Sequence, residues 1–108
     1  MVSSQIKEIT MAKEYSWEIE EQTVNVETEK EETVVHKVSL VCSNLTGKAI
    51  ITIDGDEFDI SAGFGKLRGT NQLFKLGDSA AIIDFPKKGA PEIYIDGVGV
   101  KSGKRYGE

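Results

Sequence analysis

Polar and apolar residues alternate along most of this chain, with the two-residue period of a half-buried β-strand. YSWEIE places Tyr15, Trp17 and Ile19 on one face, and TVNVE alternates Val24 and Val26 with polar neighbours as a short strand. ETEKEE follows as a charged turn without Gly or Pro. TVVHKVSLVC sets His36, Val38, Leu40 and Cys42 against Val35, Lys37, Ser39 and Val41. SNLTG then reads as a turn, with Gly47 available for a left-handed position.

Two later stretches share a signature. Ile-x-Ile-Asp-Gly occurs at 51–55 and again at 93–97. Asp-Gly favours a two-residue type I′ turn, because both central residues must take positive φ. With Asp54-Gly55 as the loop, Ile53 faces Asp56, Ile51 faces Phe58 and Ala49 faces Ile60, giving one mainly apolar face. Thr52 with Glu57, Ile50 with Asp59 and Lys48 with Ser61 fall on the other. Such a register separates core from solvent. Around Asp96-Gly97, Ile95 faces Val98 and Ile93 faces Val100. Glu92 then meets Lys101 as an opposite-charge cross-strand pair, worth roughly 0.2–1 kcal/mol, and the Tyr94 ring covers Gly99.

QLFKLGDSAAIIDF predicts a third hairpin turning at Gly77-Asp78. Being apolar on both faces, it is expected in a central part of the core. Pro86 and Pro91 bracket a loop, since mid-strand Pro removes a ladder hydrogen bond. Residues 1–13 have weak helical spacing at Ile6 and Ile9 and read as an N-terminal arm, leaving 14–108 as the domain. Two copies of a five-residue motif are too few for a solenoid or propeller. The elements define an all-β chain: an antiparallel β-sandwich of about eight to nine short strands joined largely by hairpins, with a closed barrel as the other possibility.

Composition narrows the function classes. The 108 residues suit one domain with a modest core. No apolar run approaches the roughly 20 residues of a membrane span. The opening MVSSQIKEITMAKEY has no apolar h-region, so no secretion signal is expected. The single cysteine, Cys42, cannot form an internal disulfide, and a reducing, cytoplasmic setting is expected. The net charge of −5 is uneven: residues 1–36 hold nine Glu against three Lys, whereas residues 37–108 hold nine acidic and ten basic residues. That balance argues against nucleic-acid binding and against a polybasic membrane surface. The acidic half reads first as a solvated surface and second as a face for a basic partner.

Familiar chemistries fail on spacing. Counted from Asp54, an EF-hand loop would need a ligand at Phe58, glycine at Asp59 and glutamate at Gly65. Acids at turns and outer faces supply no cleft for the paired carboxylates of a glycosidase. His36 and Cys42 share a strand face, but six residues of strand separate them by about 20 Å, too far for a catalytic dyad. Cys42 is expected in the core, and His36 as a partly exposed structural residue. One His and one Cys do not support a typical zinc site. Asn44-Leu45-Thr46 matches a glycosylation sequon but reads as turn chemistry. GFGKLRG, Gly63 to Gly69, starts like a phosphate-binding glycine motif, yet Arg68 stands where the last glycine belongs and no strand–turn–helix surrounds it. This long loop still carries Phe64, Lys66 and Arg68, the candidate interaction residues.

VHKVSLVCSNLTGKAIITIDGDEF, Val35 to Phe58, resembles the repeat unit of the Fas apoptotic inhibitory molecule family. The shared pattern is a His before an alternating strand, a Gly-Lys before the next, and a terminal Ile-Asp-Gly turn. LFKLGDSAAIIDF and PEIYIDGVGVKSGKRY follow in the family's order, so the resemblance spans about residues 15–106. Here EETVV replaces the family's Asp-Gly before the His, and the acidic segment 20–33 is an addition. The resemblance implies a compact, noncatalytic β-sandwich, and the family offers no catalytic residues to transfer. The expected function is therefore protein interaction or regulation without cofactor or metal, by a monomer or weak dimer whose protein partner is unknown. The alternative is a module binding a sugar or small anion through Gly63–Gly69.

Overall fold

The computed structural model describes residues 12–107. Among them there is no helix. Eight strands form two antiparallel four-stranded sheets, each a meander in chain order. The first sheet contains β1 (Lys13–Val24), β2 (Glu31–Cys42), β3 (Ala49–Ile53) and β4 (Asp56–Asp59); the second contains β5 (Asn71–Leu76), β6 (Ser79–Asp84), β7 (Glu92–Ile95) and β8 (Val98–Gly99). Only the segment 60–70 passes from one sheet to the other. The expected arm at 1–13 lies outside the described residues except for Ala12 and Lys13, and Lys13 already begins β1.

Both Asp-Gly hairpins keep the expected register. Ile51 pairs with Phe58 and Ile53 with Asp56, while Ile95 pairs with Val98 and Tyr94 with Gly99. Asp54 and Asp96 take φ of 48° and 49°, each followed by a positive-φ glycine, as the type I′ turn requires. Gly47 has φ 77°, and its amide donates to the Ser43 carbonyl. A Cβ at Gly47 would fall on the Gly63 carbonyl oxygen, so the glycine also makes room for the crossing segment.

Thirteen buried apolar side chains form one cluster, and both sheets supply it. Trp17, Val38, Leu40 and Ile51 come from the first, Leu76, Ala81, Ile83 and Ile93 from the second, and Leu67 from the connecting loop. Alternation explains the selection, because residues two apart share a face.

Two expectations change. TVNVE is not a separate strand: Val24 ends β1, and Val26 is exposed in the following turn. That turn is built by Asn25, whose Oδ1 accepts the amides of Glu27 and Thr28 and whose backbone amide donates to Lys30. The β5–β6 hairpin is only half central. β6 is flanked on both sides and buries Ala81 and Ile83, but β5 is a sheet edge with Leu73 66% exposed.

Beyond Val38, β2 loses β3 as a neighbour, so residues 18–24 and 31–37 continue as a two-stranded ribbon. Such a ribbon is marginal by itself. What ties it down is a polar cluster at its base.

Candidate functional site

His36 is the centre of that cluster. It is buried, 8% exposed, rather than partly exposed as expected. The two-residue period turns it inward beside Ile19, its cross-strand partner. Its Nδ1 lies 2.7 Å from Asp54 Oδ2 and its Nε2 lies 3.3 Å from Glu21 Oε1. The Asp54 hydrogen bond is the main influence raising the His36 pKa, and it outweighs the opposing effect of burial. Asp54 is lowered by His36 and by the Lys37 amide, which donates to its Oδ1. Glu21 is lowered first by the Asp78 amide and then by His36, and it also accepts from Ser79 Oγ at 3.2 Å.

This arrangement joins four elements: β1, β2, the β3–β4 turn and the β5–β6 turn. It is a latch between the sheets. It lacks the order of a serine triad, because Ser79 contacts Glu21 and not the imidazole. With a carboxylate against each ring nitrogen, the imidazole has no free lone pair for a general base. Among the described residues, no group of three His, Cys, Asp or Glu side chains is placed to hold a metal ion. Cys42 is buried in the core cluster, and that burial raises its thiol pKa and suppresses the thiolate.

A second carboxylate joins the sheets at their other hairpin. Glu92 Oε1 accepts Trp17 Nε1 at 3.0 Å and the Ile93 amide at 2.8 Å; Oε2 accepts the Lys101 and Ser102 amides at 3.0 and 2.8 Å. Burial pushes this carboxyl up, but the amides of Ser102 and Ile93, with Trp17 and Lys101, together leave it lowered. The expected Glu92–Lys101 side-chain pair is replaced. The Lys101 amide donates to Glu92, and Nζ stands 4.7 Å from the Trp17 ring centroid in a cation–π contact.

The Gly63–Gly69 candidates are exposed but differently engaged. Arg68 Nη1 donates to the Lys87 carbonyl at 3.1 Å, the Lys66 stem lies over Gly63, and Phe64 is 72% exposed. Between them Leu67 is fully buried, so the loop is pinned to the core through its one aliphatic side chain.

A concavity lies elsewhere, where the edge strands β4 and β5 come together. A cleft of about 330 Å³ is lined by Ile51, Ile53, Phe58 and Ile60 from the first sheet and its flank. Gln72, Leu73, Phe74, Lys75 and Ile83 line it from the second. Phe58 is the cross-strand partner of the buried Ile51 and so takes the core-facing side of its strand, yet it is 50% exposed. Its strand is an edge, and no further strand covers it among the described residues. The volume is in the range of small-molecule and side-chain pockets, and its walls are chiefly apolar.

The acids around this edge divide their tasks. Asp54 belongs to the latch, and Asp59 Oδ1 accepts the Ser61 amide at 2.9 Å. Asp56 and Glu57 are exposed along β4. Alternation predicts Phe58 as an inward position, and the structure leaves it half open. The signal for His36 was present in its inward phase, but its carboxylate partners lie 15 and 18 residues away in sequence.

Comparison with known proteins adds no relative: no family model, no curated protein and no solved structure matches this chain.

Proposed function

We propose that this chain is a noncatalytic β-sandwich that works by binding, with the β4–β5 cleft as its contact surface. The observation that carries this reading is the apolar cleft between two open edges, with Phe58 half exposed at its wall. The sandwich description rests on the single buried cluster shared by the two sheets. The engaged imidazole and the suppressed thiol support a noncatalytic role. A relationship to the Fas apoptotic inhibitory molecule family, and with it a regulatory role in the cytoplasm, remains part of the proposal. The order of its motifs supports it.

Titration of the labelled protein with an aliphatic amphiphile such as decanoate tests the cleft. NMR shifts are expected at Phe58, Ile60 and Phe74, and are expected to vanish in Phe58→Ser with the fold retained. A turnover abolished by Cys42→Ser in a folded protein would overturn the noncatalytic reading.

A second reading is a sugar- or anion-binding module at Gly63–Gly69. It is favoured by the anchoring of Arg68 on the Lys87 carbonyl, beside the exposed Lys66. Phosphate and monosaccharide titrations should then move Phe64, Lys66 and Arg68. A flat response at all three would eliminate it.

A further inference from the structure

We infer that the β4 edge accepts an extended segment of another protein in which basic and apolar residues alternate. This rests on the proposal that the cleft is a contact surface, and it names the guest. β4 ends its sheet, so the backbone groups along its outer side have no strand partner among the described residues. A strand added there would continue the ladder, the mode of recognition by β-augmentation.

The pleat then dictates the guest's sequence. Phe58 pairs with Ile51 and so faces inward, whereas Glu57 and Asp59 pair with Thr52 and Ile50 and face outward. In an added strand, the residue opposite Phe58 points into the cleft, and the residues opposite Glu57 and Asp59 point out beside two carboxylates. Apolar side chains therefore suit the inward positions, where they cover Phe58 and Ile60. Lys or Arg suits the outward ones. Asp56, at the hairpin tip, adds a third negative charge at this edge.

The same charges oppose a second copy of this chain docking edge to edge through β4, because acids would face acids. They also oppose a fatty acid entering carboxylate first past β4. A basic-apolar strand meets both the shape and the charge of the site.

The test uses the full chain, NMR-labelled, with short peptides of alternating Lys and Val, alternating Glu and Val, and a Lys/Val scramble without alternation. The Lys-Val peptide is expected to shift the β4 amides and Phe58 and to slow exchange along β4. The Glu-Val and scrambled peptides should bind about tenfold more weakly or not at all. Glu57→Lys combined with Asp59→Asn, which keeps an acceptor for the Ser61 amide, should weaken Lys-Val binding about tenfold and favour the Glu-Val peptide. Equal binding of all three peptides, no peptide binding, or shifts away from β4 would overturn the inference. If decanoate still perturbs Phe58 and Phe74 in those cases, the cleft reading survives alone. If decanoate also leaves the cleft unperturbed, both fall.

Discussion

The two Ile-x-Ile-Asp-Gly hairpins share a sequence, a register and a turn, but not a role. Asp54 and Asp96 adopt nearly the same positive φ. Asp54 then binds His36 and the Lys37 amide, whereas Asp96 has no side-chain hydrogen bond among the described residues. The second hairpin is anchored from its other end, where Glu92 gathers four donors and reaches the opposite sheet through Trp17. Local sequence therefore sets the turn, and the surroundings decide which of its carboxylates holds anything.

The largest effect should come from removing the second hairpin's anchor. Glu92→Ala leaves the Trp17 indole N–H and the Lys101 and Ser102 amides without their acceptor, and should lower stability by about 2–3 kcal/mol. Trp17 is the only tryptophan, so its fluorescence during urea denaturation reports both the midpoint and the changed contact.

Asp54→Asn should cost about 1 kcal/mol near pH 6, a figure reduced for the partial exposure of Asp54. Asparagine tolerates the left-handed turn, so the loss measures the carboxylate and not the backbone. The urea midpoint, compared with that of Asp96→Asn, checks the difference.

pH offers a further comparison between the hairpins. The folded His36 pKa is raised, so its contribution is complete below the ordinary value of 6.5 and is lost as pH rises through the folded value. Glu21 and Asp54 are lowered, so theirs is present above their ordinary 4.5 and 3.8 and is lost on acidification through the folded values. The latch is therefore strongest between these ranges. Urea midpoints across about pH 6 to 9, the window around the histidine titration, should show a decline that Asp54→Asn flattens and Asp96→Asn preserves. An unchanged slope in Asp54→Asn would remove the latch from the account.

Asp96→Asn should have the smallest effect, within about 0.5 kcal/mol at any of these pH values. A larger loss would mean that the second turn also depends on its acid.

Much of the framework was legible in the chain. Alternation identified the inward faces of β1 and β2, and Asp-Gly fixed the register of two hairpins, because both signals act between near neighbours. The β1–β2 turn was harder to read, since Asn25 makes it with side-chain bonds in place of Gly or Pro. GFGKLRG stood out for its cations and aromatic ring, yet its most buried residue is Leu67, the one aliphatic side chain between them.

The cleft was out of reach for a different reason. Phe58 and Phe74 each follow an inward phase, and that phase alone predicts burial. An inward phase does not by itself bury a side chain at a sheet edge: Trp17 on β1 and Leu76 on β5 are covered, whereas Phe58 on β4 borders the cleft, with no strand beyond it among the described residues. Sequence by itself determined which residues face inward and where the chain turns, because period and backbone φ are local properties. Tertiary structure alone decided that His36 meets two carboxylates, that Glu92 grips Trp17, and that the inward row at β4 stays open. Those outcomes depend on which distant strands become neighbours and which become edges.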